Sequence, residues 1–180
     1  MKRLFSVSLL TPITAIFAFS STATAQSPPI SAASSKLVLG TARAEVTVNK
    51  PIDEVWSRVG DFCDIRDWVG TSCDIVYGKE NEIGTVRTTG NEIIVGKTKY
   101  SYTYGQVGSE RRPYRLYHGT LEAQPTSATS TKLIYTFLWD DSGAESALAR
   151  EKTRQQRAAM ALGLLTNMKT LAEVGTVVPF

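Results

Sequence analysis

A single histidine and two cysteines are the whole supply of imidazole and thiol in these 180 residues. His118 stands alone, and no serine or cysteine lies in a recognisable nucleophile motif, so a hydrolytic triad has nothing to build on. Two sulfurs without matching histidines lack the spacing of a zinc site, and no metal is expected. Neither a Gly-rich phosphate loop nor a dinucleotide fingerprint is present, so no cofactor is expected. Asp140 and Asp141 adjoin, but neighbours on a strand point to opposite faces and make a poor acid and base pair. They suit the approach to a helix start better.

The chain also lacks a concentrated run of charge. Arg150, Lys152, Arg154 and Arg157 are interrupted by Glu151 and read as a solvated helix face, not as a nucleic-acid stripe, so no nucleic acid is expected. With 42% hydrophobic and 21% charged residues, the composition is that of one globular domain.

Long apolar runs are missing after the N-terminus. There, Lys2 and Arg3 precede an apolar stretch from Leu4 to Phe19, and Ala23, Thr24 and Ala25 form an A-x-A site before Gln26. This pattern predicts a cleavable signal peptide over residues 1–25, cut after Ala25. Ser6, Ser8, Thr11, Pro12 and Thr14 dilute the stretch below the roughly 20 apolar residues that a membrane span needs. Gln26, not Cys, directly follows the cleavage site, so lipid anchoring there is not indicated. The expected location is periplasmic or secreted, with no stable membrane insertion. Without Lys2 and Arg3, 18 basic residues face 17 acidic ones, so the formal charge of +3 falls to +1. Export brings Cys63 and Cys73 to an oxidising compartment, where a disulfide is expected to stabilise by roughly 3 kcal/mol. Two buried thiols are the alternative, since spacing does not show which way the Cβ atoms face.

Residues 26–36 are small, polar and Pro-containing, a flexible leader before a domain over 37–176. From Thr41 to Val48 the alternation of Ala42, Ala44, Val46 and Val48 with polar residues predicts a strand. Pro51 suits a first helical position, with Asp53 and Glu54 at the positive end and Val55, Trp56 and Val59 as apolar face. Gly60 breaks that helix, and Asp61 is expected to cap a second from Phe62 to Trp68, ended by Gly70. Strands are expected at Cys73–Tyr77, Gly84–Thr89, Glu92–Thr98, Tyr100–Gln106, Tyr114–Ala123 and Thr131–Trp139. Glu80–Glu82, Gly90–Asn91, Gly108–Pro113 and Gln124–Ser127 are expected as turns. The last strand is apolar on both faces, so both are expected to be covered. Ser142 and Glu145 predict a capping box at the head of a helix of about eight turns. Its second half carries Ala161, Leu164, Leu165, Met168, Leu171 and Ala172 as one stripe, while Arg150 to Arg157 is polar nearly all round.

Strand, two short helices, about six antiparallel strands and a long C-terminal helix resemble the helix-grip α+β fold of the START and Bet v 1-like superfamily, with its polyketide cyclase and dehydrase relatives. The resemblance covers Thr41 to Val174 and rests on VTVNKPIDEVW at Val46–Trp56, GDF at Gly60–Phe62, Trp68, Cys73, GTVR at Gly84–Arg87 and YHGTLEA at Tyr117–Ala123. Two departures touch the mouth of the cavity that the fold implies. Val95–Tyr100 is short, and Val69-Gly70 follows Trp68 where many relatives carry His-Pro. Thr71 and Ser72 stand where plant hormone receptors of this fold place a ligand-binding lysine, so an acidic hormone-like ligand is not supported.

The resemblance implies a curved sheet of six to seven strands around a long helix, with a hydrophobic cavity between them. Trp68, Arg87, Tyr102, Tyr117, Tyr135 and Leu164 are the candidate lining. The tyrosines would offer apolar surface with hydroxyls, and Arg87 a partner for a polar head. Packing of the tyrosines in the sheet and a surface ion pair for Arg87 are the plainer alternatives. Trp56 reads as core.

The leading expectation is therefore an exported protein that binds a hydrophobic small molecule: a lipid, a sterol-like compound or an aromatic. One alternative is an accessory protein of a periplasmic oxidoreductase, docking through Arg150 to Arg157. Another is a cyclase-like enzyme that uses Arg87, Tyr117 or His118.

Overall fold

The computed structural model of the chain describes residues 36–107 and 116–177, within the compact unit Ser34–Phe180. The expected signal peptide, its cleavage point, the leader up to Ser35 and the Gly108–Pro113 turn lie outside the described residues.

Alternating side chains make β1 (Leu39–Val48) a strand with one dry face, on which Ala42 and Val48 are buried. It leads into α1 (Ile52–Val59) and α2 (Ile65–Val69). The strands β2 (Ile75–Tyr77), β3 (Val86–Arg87), β4 (Glu92–Thr98), β5 (Ser101–Gln106), β6 (Tyr117–Ser127) and β7 (Ser130–Asp140) follow, and α3 (Ala147–Val174) closes the chain. All seven strands join one antiparallel sheet in the order β1-β7-β6-β5-β4-β3-β2. The sheet wraps α3, and the architecture is a helix-grip α+β fold. Buried Ala161, Leu165, Met168 and Leu171 seat the second half of α3 on it, with Leu164 and Ala172 half-buried beside them. Among the described residues no helix is long and apolar enough to cross a membrane.

Several boundaries differ from the sequence expectations, each for a local reason. Pro51 is the N-cap of α1, one place earlier than expected. Residues 61–64 form a turn, so α2 begins at Ile65 with Asp64 as its N-cap, not Asp61; Gly70 ends it in the left-handed region, as the sequence predicts. The capping box is not the head of α3. Ser146 is the N-cap, its Oγ accepting from Ala149 N at 3.1 Å. Ser142 is drawn away by the chain before β1, where its Oγ accepts from Val38 N at 2.9 Å. Gln124–Ser127 is strand, because β6 runs on past Pro125 with a register shift that accommodates the missing N–H, and the turn falls at Ala128-Thr129. Ile134 on the outer face of β7 is buried as well as the inner face. It pairs with Glu45, whose ion pairs to Lys132 and Arg43 hold long apolar stems beside it.

The α1–α2 junction is sewn to the turn between β2 and β3. Cys63 and Cys73 are disulfide-bonded, with Cα atoms 5.4 Å apart. Glu80 Oε1 accepts from Cys63 N at 3.0 Å, and Asn81 Oδ1 from Phe62 N at 2.9 Å. Asn81 holds φ at 64°, a left-handed position that asparagine tolerates better than most side chains. Replacing both cysteines by serine opens the short loop and is expected to lower stability by about 3 kcal/mol, read as a drop in melting temperature that reducing agent does not deepen.

Burial lifts the Asp64 carboxyl to about 7, with the negative charges of Asp61, Asp67 and Glu80 adding to it and the hydrogen bond from Asp61 N opposing it. A pKa raised on folding favours the folded state at low pH, and that advantage fades as pH rises through the folded value. Asp64→Asn should therefore match the parent near pH 4 and melt higher than it at pH 8, as thermal unfolding across that range would show.

Candidate functional site

Strand alternation and register place a set of aromatic rings on the concave face of the sheet. Tyr102 pairs with Leu121 and Leu121 with Tyr135, while Tyr104 pairs with Gly119 and Gly119 with Phe137. Tyr117 pairs with Trp139 at the end of the same face. Gly119 carries no Cβ because the Tyr104 ring lies over it; a Cβ there would come within 2.3 Å of that ring. The Phe62 ring, from the α1–α2 junction, meets Tyr102 edge-on with centroids 5.5 Å apart. Trp68, on α2, is fully buried, and its carbonyl accepts from Asn167 Nδ2 at 2.8 Å, which ties α2 to α3.

Arg87 enters this interior from β3 with no solvent exposure. Its Nε and Nη2 donate to Glu92 Oε2 at 2.9 and 2.6 Å, and its Nη1 donates to the carbonyl of Phe62. The guanidinium lies 4.1 Å from the Phe62 centroid and 5.2 Å from that of Tyr104. Arg87 thus forms neither a surface ion pair nor an open anchor for a ligand head, but a buried pair across β3 and β4.

Two tyrosine hydroxyls satisfy each other, Tyr104 Oη and Tyr135 Oη at 2.7 Å. Burial raises both well above the ordinary phenol range, and it pushes Tyr102 up to about 12 although the Arg87 charge opposes it. These hydroxyls stay protonated at neutral pH, suited to hydrogen bonding and not to proton abstraction. Three buried donors in the interior have no hydrogen-bond partner among the described residues: Tyr102 Oη, Trp68 Nε1 and Trp139 Nε1.

The six residues expected at the cavity occupy different depths. Tyr102 and Tyr135 share the buried cluster with Arg87, and Trp68 is buried at its α2 side. Tyr117 is half-buried at the rim, stacked on Phe137 with centroids 6.0 Å apart. Leu164 is half-buried on α3. Sequence reasoning missed Phe62, Glu92, Tyr104, Phe137 and Trp139 at this site. The period of two starting from Tyr102 and Tyr135 reaches Tyr104, Phe137 and Trp139, whereas nothing in the spacing of Glu92 signals its pairing. His118 lies on the opposite face of β6 from Tyr117, its ring against Gly105. Trp56 is half-buried, against Tyr100 and Tyr102. Among the described residues no group of three or more His, Cys, Asp or Glu is placed to hold a metal ion.

Removing one member of a buried charge pair strands the other. Arg87→Met is expected to destabilise by about 3–5 kcal/mol, and the double change Arg87→Met with Glu92→Leu by much less. Denaturant unfolding of the two single variants and the double variant measures the coupling.

No protein-family model matches the sequence, and no curated protein matches it. Solved structures do resemble it. A protein from Nitrosospira multiformis is 19% identical, with a TM-score of 0.58 over 75% of this chain and 97% of its own. The Zhui aromatase/cyclase from Streptomyces sp. R1128 is 18% identical, with a TM-score of 0.51 over 78% of this chain and all of its own (100%). Ara h 8.0201 is 14% identical, with a TM-score of 0.52 over 75% of this chain and 98% of its own. Identities this low speak for the fold alone, and that fold is Bet v 1-like.

Proposed function

We propose that this chain is an exported carrier or sensor that holds a hydrophobic small molecule between the sheet and α3. The observation that carries the reading is the set of orphan donors in an aromatic interior: Tyr102 Oη, Trp68 Nε1 and Trp139 Nε1. A buried donor without a partner costs about 1–3 kcal/mol, and an interior built only for stability would use phenylalanine at such positions. Apolar surface with a few unpaired donors suits a ligand that is largely apolar and bears one or two acceptors. Aromatics and sterol-like or acyl compounds with a carbonyl or hydroxyl oxygen have that character. Export through the signal peptide of residues 1–25 and a periplasmic or secreted location belong to the same proposal.

A second reading is a docking protein for an exported enzyme, favoured by the first half of α3, which exposes Leu148 (80%) and the Arg154–Glu151 ion pair. A cyclase-like activity, which the Zhui aromatase/cyclase carries in its name, is less well supported, since His118 lies on the outer face and the interior tyrosines are held protonated.

Native mass spectrometry with organic extraction, on protein purified from the periplasm, tests the carrier reading. A stoichiometric apolar compound is expected, and an empty protein that copurifies with an exported enzyme would replace the carrier by the docking reading. Tyr102→Phe sharpens the test. It removes an orphan hydroxyl, so the empty protein should be as stable as the parent or more so, while affinity for the extracted ligand should fall about tenfold.

A further inference from the structure

Beyond the aromatic interior, a cleft of about 250 Å³ opens where the start of β1 and the end of β7 meet the first turns of α3. Leu39, Gly40 and Thr41 form one side, Arg150, Glu151 and Arg154 another, and Trp139 with Asp141 the floor. Gly40 belongs to the construction: its position faces Trp139 in the pairing of β1 with β7, and a Cβ there would stand 2.3 Å from the indole ring and 2.7 Å from its Nε1. The absent side chain lets the backbone of β1 lie against the indole of Trp139, a residue that lines the cleft and whose buried Nε1 has no acceptor among the described residues.

The charges around this nitrogen are arranged unevenly. Arg154 is already clamped, its Nε and Nη2 donating to Glu151 at 2.9 and 2.7 Å. Arg150 is half-buried, and its hydrogen bond among the described residues is a long one, from Nη1 to Ala144 O at 3.4 Å. Asp141 is 8% exposed, and among the described residues its carboxylate has no ion pair. The cleft therefore offers two sets of free donors, on Arg150 and Trp139, opposite one carboxylate acceptor. The Arg154–Glu151 pair cancels its own charge, so an anion would gain Arg150 but face Asp141, whereas a neutral group that accepts on one side and donates on the other meets complementary partners throughout.

We propose that this cleft is a head-group subsite for a neutral hydrogen-bonding group with both an acceptor and a donor, of which a primary carboxamide is the simplest form. The carbonyl oxygen accepts from Arg150 and Trp139 Nε1, and the NH₂ donates to Asp141. The proposal rests on the carrier reading for the apolar remainder of the ligand, with Trp139 as the wall that interior and cleft share.

Hexanamide and hexanoate are the probes, titrated into the isotope-labelled protein while the indole N–H resonance of Trp139, assigned through its contacts to Gly40, is followed by NMR. Hexanamide should move that resonance and bind at least tenfold more tightly than hexanoate. Arg150→Met should weaken hexanamide binding about tenfold without lowering the melting temperature, and Asp141→Asn should narrow the preference for amide over acid. An unmoved indole resonance, or equal hexanamide affinity in Arg150→Met, overturns the subsite. Dodecanamide and dodecane, tested by native mass spectrometry, separate the two readings. If dodecane is carried while Arg150→Met changes nothing for the amides, the subsite falls and the carrier stands. If hexanamide moves the indole but neither long chain is retained, the carrier falls and the subsite stands.

Discussion

A guanidinium with no solvent exposure has to find its counter-charge and its hydrogen bonds inside the protein, and in this chain Arg87 finds them on three elements at once. Glu92 answers from β4, the Phe62 carbonyl answers from the α1–α2 junction, and the rings of Phe62 and Tyr104 flank the charge. β3 is only two residues long and brings little ladder bonding of its own. Arg87, paired to β4 and bonded to the Phe62 carbonyl, is thus what fixes the thin side of the sheet to the helical cover. The disulfide and the Asn81 and Glu80 hydrogen bonds close the same joint from outside, so the cover has few independent ways to lift.

This arrangement changes what the interior is able to do. With Arg87 occupied, its charge is not on offer to a ligand head unless Glu92 is displaced, which would strand a carboxylate at low dielectric. The polarity left for recognition is neutral: the hydroxyl of Tyr102 and the indole nitrogens of Trp68 and Trp139. A site of neutral donors among rings discriminates by shape and by the position of one or two oxygens, not by charge, which agrees with the lack of support for an acidic ligand in the Thr71-Ser72 region.

The sequence made the order of elements legible because each major one carries a strong period: two residues in β1 and β7, and three to four in the second half of α3. Ends were less legible. Ser142 reads as the cap because Glu145 completes a capping box, and what displaces it is Val38, over a hundred residues away in sequence, whose N–H takes the Ser142 hydroxyl. Pro125 reads as a turn residue until pairing with β7 shows that its own strand bulges just after it. At the site, Tyr102 and Tyr135 were legible as inward-facing side chains. The partner of Arg87 was not, since Glu92 reads as the polar first residue of a strand, and only the pairing of Arg87 with Glu92 across β3 and β4 puts the two side by side.

The division of α3 follows from the same physics. Ala161, Leu165, Met168 and Leu171 supply a dry stripe for the second half, but before Ala158 the helix has no comparable stripe and leans on the sheet end through single contacts. One of these is the Arg157 guanidinium, 4.6 Å from the Trp139 ring and 5.3 Å from Tyr117. A cation over two rings holds less firmly than packed methyl groups do, because part of its attraction is lost to solvation. The mouth of the fold is therefore the least tightly packed end of its longest helix, where Arg157 spans Tyr117 and Trp139, and Trp139 belongs both to the aromatic interior and to the cleft beside Arg150. Rearrangement in that layer disturbs few buried contacts elsewhere. On the carrier reading, a small molecule would exchange there, while the sheet, the disulfide and the Arg87 pair hold the other end in place.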